Sequence, residues 1–160
     1  MHPQLRTIKE SDNKRLAQII RNSLTEFNAA KPGTVYFDPT TDNLFAVFKN
    51  SRSIYYVLEI DGIVQGGAGI YPTQGLPAGT CELVKIYIDA SARGKGYGKL
   101  LIQASEHAAR ELGFERIYLE SMPELNIALP LYEKLGYQYI SDPLGNSGHT
   151  GCSVWMIKTV

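Results

Sequence analysis

Apolar positions recur along this chain in two rhythms, one near 3.6 residues and one of two. Residues 5–8 read as a short first strand. Leu16, Ile19, Ile20 and Leu24 fall at helical spacing, and Ser11 or Asp12 is placed to cap that helix. Residues 28–37 read as a loop. Asp38-Pro39 reads as a cap followed by proline at the first helical position, with Leu44, Phe45 and Phe48 on one face of a second short helix. The period then changes. Residues 53–60 and 63–71 are β-rich runs joined by Asp61-Gly62, a strong hairpin signal because both turn residues must accept positive φ. Residues 72–79 form a Pro/Gly loop and residues 80–89 return to strand. From Gly98 to about Leu112, the residues Leu100, Leu101, Ala104, Ala108 and Leu112 predict one apolar helix face, ended by Gly113. Residues 115–120 predict a strand, 126–135 a helix closed by Gly136, and 137–140 a strand. After a glycine-rich loop at 144–151, residues 154–158 close the sheet. The fourth and fifth strands flank a helix, so they should run parallel with a right-handed crossover. The expectation is a mixed α/β sheet in one domain spanning residues 1–160, with no linker to divide it.

Composition narrows the function. Of 160 residues, 44% are apolar, enough for one sizeable core. Sixteen Lys and Arg balance sixteen Asp and Glu. A protein built to grip nucleic acid or an anionic membrane needs a basic excess, so neither partner is expected. No run approaches the roughly 20 apolar residues of a membrane helix, and the first ten residues carry no apolar signal segment. Two cysteines, Cys81 and Cys152, make neither a disulfide framework nor a zinc pattern. A reduced, cytoplasmic setting is the expectation.

The chemistry concentrates in Arg93-Gly94-Lys95-Gly96-Tyr97-Gly98, between a strand and a helix start. Glycines let successive N–H groups curl one way, and a helix N-terminus adds partial positive charge. Arg93, Lys95 and Lys99 add formal charge, so a pyrophosphate is a natural guest. A Walker loop is excluded: only three residues separate Gly94 from Gly98-Lys99, and Leu100 follows instead of Ser or Thr. The dinucleotide fingerprint also fails, because Gly98 comes one residue early.

Residues 82–88 (ELVKIYI), the RGKGYG turn and residues 131–137 (LYEKLGY) together resemble the GNAT superfamily of N-acetyltransferases. That family holds the pyrophosphate of acetyl-CoA with an [R/Q]-x-x-G-x-[G/A] loop, which Arg93, Gly96 and Gly98 match. The resemblance implies the GNAT fold: a mixed, mostly antiparallel sheet, splayed at parallel strands 4 and 5 and flanked by helices. It implies acetyl-CoA as co-substrate, no metal, and a small-molecule or peptide amine as acceptor, acetylated by direct attack in a ternary complex. Family members are often dimers, so a homodimer is an expectation of the resemblance alone. The pantetheine arm would pair with the exposed edge of strand 4 at Ile86, Tyr87 and Ile88, and a backbone N–H there would polarise the acetyl carbonyl. Gly94 and Tyr97 belong to the same cofactor loop.

The attacking amine must be neutral. A lysine amine of pKa about 10.4 pays about 4.6 kcal/mol for this at pH 7, and an α-amine near 8 only about 1.4. Glu120 is the first candidate base, twelve residues before Tyr132, as in the protein α-amine acetyltransferase branch; Glu82 is the second, as base or as anchor for a cationic acceptor. Tyr132 is the expected acid for the departing thiolate, because phenol and thiol pKa values lie close. The family often places an Asn seven residues before the tyrosine, against the cofactor. That position is Leu125, so Asn126, one residue late, is the candidate for the contact or else a helix cap. Pro130 inside the same helix argues for a late start or a kink. His149 and Cys152 read as a loop histidine and a buried thiol, and residues 145–149 as an acceptor-side loop. Tyr36 and Phe37 are candidates for the wall opposite. Two other readings stay open: a non-catalytic acyl-CoA-binding module on the same fold, and a phosphate-loop nucleotide enzyme.

Overall fold

The computed structural model describes residues 2–160. Seven strands form one sheet: β1 (Pro3–Thr7), β2 (Ile54–Ile60), β3 (Ile63–Tyr71), β4 (Thr80–Ile88), β5 (Arg116–Ser121), β6 (Gln138–Ile140) and β7 (Val154–Thr159). Their order is β1-β2-β3-β4-β5-β7-β6. Only the β4–β5 pair is parallel; the rest are antiparallel. The last strand therefore does not close the sheet at an edge. It slots between β5 and β6, and the three-residue β6 takes the edge.

Period-two alternation in β2 divides the core. Tyr55 and Val57 face one side with Leu16, Ile20 and Leu24 of α1 (Asn13–Glu26) and Leu44 of α2 (Leu44–Val47). Leu58 and Ile60 face the other with Leu101, Ile102 and Ala109 of α3 (Tyr97–Glu111) and Tyr132 of α4 (Ala128–Lys134). The α3 core stripe is Leu101, Ile102, Ser105, Ala108 and Ala109, whereas Leu100 is 40% exposed. At 100° per residue, a stripe running 101-102-105-108-109 turns position 100 outward. Asp12 stands at the N-cap of α1 with no capping bond there; its carboxylate accepts from Lys9 N and Arg6 instead, fixing the preceding 3₁₀ turn. Asp38 does cap its turn, accepting from Thr40 N, with Pro39 next. The hairpin is as expected, with Asp61 and Gly62 at φ 51° and 79°.

One irregularity matters more than the regular parts. Gly67 pairs with Tyr87 but Gly69 with Val84, so Lys85 and Ile86 oppose the single residue Ala68. Lys85 adopts φ 54° at this bulge. Tyr55 reaches under β3 and donates its hydroxyl to Lys85 O at 2.7 Å. Gly67 makes room: a Cβ there would lie 2.4 Å from Tyr55 Cε1. The glycine run of β3 thus serves close approach of neighbours. Beyond the bulge β4 bends away, and β5 pairs with it only over Thr80–Glu82. Tyr55→Phe should therefore destabilise the fold by about 1–3 kcal/mol in urea unfolding, because it strands a buried carbonyl.

Candidate functional site

The splay of β4 from β5 leaves the backbone edge of β4 unpaired on that side and opens a cavity of about 370 Å³. Its walls include Val84–Ile88 of β4, Leu119–Met122 at the end of β5, and Leu131 and Tyr132 of α4. The expected edge residues Ile86, Tyr87 and Ile88 all line it.

One end of the cavity is the glycine turn. Gly94 and Gly96 lie at φ 76° and 83°, and nothing stands within 4 Å of where their Cβ atoms would be. Gly96 is the N-cap of α3, and the first helical bond is Leu100 N to Gly96 O. The N–H groups of Tyr97, Gly98 and Lys99 are thus unclaimed by the helix and available to an anion. Gly98 also lets α4 approach, since a Cβ there would lie 3.0 Å from Leu131 Cδ2. Lys95 and Lys99 are exposed. Arg93 behaves differently from the expectation that its charge faces a phosphate. Its guanidinium donates to Ile88 O (3.0 Å), Glu26 (2.6 Å) and Ser23 Oγ (3.0 Å), and lies over the Phe27 ring. It ties the loop to α1, with its charge paired to Glu26. A backbone-amide cradle continuous with an exposed strand edge and an apolar cleft fits the diphosphate and pantetheine arm of a coenzyme A ester.

The other end holds the titratable groups. One ligand atom each of Glu82, Glu120 and His149 lie within 4.8 Å of one another. Glu82 is 3% exposed, and Oε1 accepts from Thr73 Oγ1 at 2.6 Å. Burial, reinforced by Glu120 and opposed by the Thr73 bond, pushes its carboxyl up to about 7. Glu120 has both oxygens engaged: Tyr118 donates to one at 2.6 Å and Ser147 Oγ to the other. Ser147 Oγ in turn accepts from His149 N, so the 145–149 loop is stitched to the carboxylate. His149 Nε2 sits 2.9 Å from Asp38 Oδ2, which also meets the buried Lys85 ammonium at 3.4 Å. The His149 bond foremost, then Thr40 and Lys85, hold the Asp38 carboxyl well below the usual carboxylate range. Sequence reasoning treated Asp38 as a cap only and passed over Lys85, Thr73 and Tyr118; Ser147 lies in the 145–149 loop it did single out.

Tyr132 is 5% exposed and lines the cavity, edge-on to Tyr137 at 6.0 Å. Burial pushes its phenol up. Pro130 is the third residue of α4, in the first turn, where its missing N–H has no helical partner to lose. The helix starts late, at Ala128, as the proline demands. Asn126 is exposed, lies outside both the helix N-cap and the cavity wall, and its neighbours Leu125 and Ile127 line the wall instead. Cys152 is half-buried on the same wall, its thiol pushed up to about 12 by burial and then by Glu120 and Glu82, which unfits it as a nucleophile. Phe37 is 59% exposed, at a second cleft rather than in the main cavity. No helix is long and apolar enough to cross a membrane among the described residues.

Comparison with known proteins agrees with this geometry. The sequence profile described as "Acetyltransferase (GNAT) family" matches residues 16–137. An Escherichia coli K12 protein named "Uncharacterized N-acetyltransferase YjgM" is 39% identical over 157 residues, covering 98% of this chain and 94% of its own. A GNAT-family acetyltransferase from Staphylococcus aureus Mu50 superposes with a TM-score of 0.88 at 18% identity, over 99% of both chains. A PaiA N-acetyltransferase from Thermoplasma acidophilum, crystallised in complex with coenzyme A, superposes with a TM-score of 0.79 at 18% identity, over 100% of both.

Proposed function

Because this chain belongs to the acetyltransferase (GNAT) family, with acetyl-CoA as co-substrate, we propose that it acetylates a primary amine of a small molecule or peptide by direct attack in a ternary complex. The observation that carries the reading is the single cavity joining an amide cradle at one end to a carboxylate pair at the other, with Tyr132 in its wall. The diphosphate rests on the N–H groups of the 94–99 turn. The pantetheine arm pairs with the open edge of β4 at Ile86–Ile88. That aims the thioester at the Glu82 end.

We assign the base role to Glu82 rather than Glu120. A general base works best with a pKa near the operating pH, and Glu82 is pushed to about 7 with one oxygen uncommitted. Glu120 has both oxygens committed to Tyr118 and Ser147 and raises its neighbour's carboxyl; two close carboxylates take different roles when their surroundings differ. Tyr132 supplies the proton to the leaving sulfur. Arg93 acts at one remove, holding the loop against α1.

Thiol release from acetyl-CoA, followed across polyamines, amino acids, aminoglycosides and peptides, tests the reading. At least one amine class should accelerate release, and calorimetry should detect coenzyme A binding. Absence of coenzyme A binding would overturn the reading; binding without turnover on any amine would favour a non-catalytic acyl-CoA-binding module.

A further inference from the structure

Transfer to an amine that arrives as ammonium has a fixed proton balance. Ammonium plus acetyl-CoA gives the amide, free coenzyme A thiol and one surplus proton. The base that takes this proton is 3% exposed, so the proton needs a way out. A second cleft of about 280 Å³ opens beside the main cavity, with Phe37, Asp38 and Pro39 on one bank and Ser147–His149 on the other. Among the described residues only Thr34 and His149 line both spaces, and the Thr34 hydroxyl is committed to Lys31 O at 2.6 Å. His149 is thus the one titratable side chain shared by the two.

We propose that His149 carries the acceptor's surplus proton from Glu82 to solvent in the second cleft. The proposal rests on Glu82 being the base. A ring nitrogen of His149 lies within 4.8 Å of oxygens of Glu82 and Glu120, a gap that one water bridges. Asp38 is ionised and can only accept, so Nε2 carries the hydrogen of that 2.9 Å bond and Nδ1 is the basic nitrogen. The ammonium N–H breaks as the Glu82 O–H forms. That O–H then breaks as the bridging water passes a proton to Nδ1. The imidazolium, beside Asp38, releases its proton to water in the cleft. Proton entry at Nδ1 and exit from Nε2 leave the opposite tautomer, so a ring flip that renews the Nε2–H bond to Asp38 restores His149; Glu82 is again a carboxylate and no electron moves. The charged and titratable groups around the ring are Asp38, Glu82, Glu120, Lys85 and Cys152. Asp38 is a positioning residue here: it fixes the tautomer and offsets the charge.

The test uses the amine that turns over best in the panel above. His149→Ala and His149→Gln should each lower kcat about 10–100-fold near neutral pH. The deficit should shrink as pH rises past the acceptor's own pKa, where the amine arrives neutral and has no surplus proton to export. Added imidazole should restore His149→Ala, and Asp38→Asn should show a smaller deficit of the same pH dependence. A His149→Gln enzyme with the wild-type kcat and pH profile would overturn the relay, as would a His149→Ala deficit that neither pH nor imidazole alters. Glu82→Gln should keep its deficit of about 100-fold or more with or without imidazole; a Glu82→Gln enzyme at the wild-type rate would remove the base assignment itself, whatever His149 does.

Discussion

Glu82→Gln is expected to lower kcat at saturating acceptor by about 100-fold or more, the range that general-base catalysis supplies. The substitution keeps the shape, and Gln Oε1 can still accept from Thr73 as Glu82 does at 2.6 Å. It removes only the proton acceptor. Wild-type kcat should rise through pH about 7, where Glu82 ionises, and level off above it. That limb belongs to Glu82 when it stays put for acceptors of different basicity. Stability should move the opposite way. Burial raises the Glu82 carboxyl above its unfolded value, so the folded state holds this proton more tightly than the unfolded chain. The folded state is therefore favoured at low pH and loses that advantage as pH rises through about 7. A glutamine never has to bury a charge, so Glu82→Gln should be more stable than wild type at about pH 8, with the gain fading toward about pH 5. Activity lost and stability gained together mark a residue kept for chemistry. Retained turnover would move the base to Glu120, and the Glu120→Gln enzyme would then carry the loss.

How legible the site was depended on how local its causes are. The 61–62 hairpin, the α3 stop at Gly113 and the 93–98 turn all follow from residues within a few positions of one another, and each stands where the sequence put it. The bulge at Lys85 does not. It exists because Tyr55, 30 residues away, holds the Lys85 carbonyl from beneath a glycine, and no pattern within β4 announces that. Asp38 and His149 meet across 111 residues through two irregular loops, clasped by the Gly151 N to Gly33 O bond at 2.8 Å. Hydrophobic periodicity says nothing about pairs of loops. Arg93 shows the converse failure. Its motif position was read correctly, but its charge is answered by Glu26 on α1, which only the packing of α1 against the loop brings near. The wrong face given to Leu100 came from extending a run of aliphatic residues into the first helical turn, where the stripe had not yet come round.

Tyr132→Phe should cost about 100-fold in kcat while leaving coenzyme A affinity and the fold nearly untouched. The protein contains its own gauge of what an unassisted thiolate would cost in this cavity. Cys152 lines the same wall, and burial with the nearby Glu120 and Glu82 pushes its thiol up to about 12. A coenzyme A sulfur departing into that space meets the same poor solvation and the same carboxylates, so its negative charge is disfavoured unless a proton arrives with it. Burial keeps the Tyr132 phenol fully protonated and ready to donate. The raised phenol and the raised thiol remain matched, which keeps the transfer workable. In the free protein no side chain or backbone group bonds that hydroxyl among the described residues, so phenylalanine strands no partner, and its ring keeps the edge contact with Tyr137. The expected pattern is thus a kcat loss with an unchanged melting midpoint and an unchanged calorimetric Kd for coenzyme A. Acceptors of any class should suffer alike, because the leaving group is common to all of them. A Tyr132→Phe enzyme with full turnover would leave the sulfur to solvent protonation and return Tyr132 to the core that it shares with Tyr137.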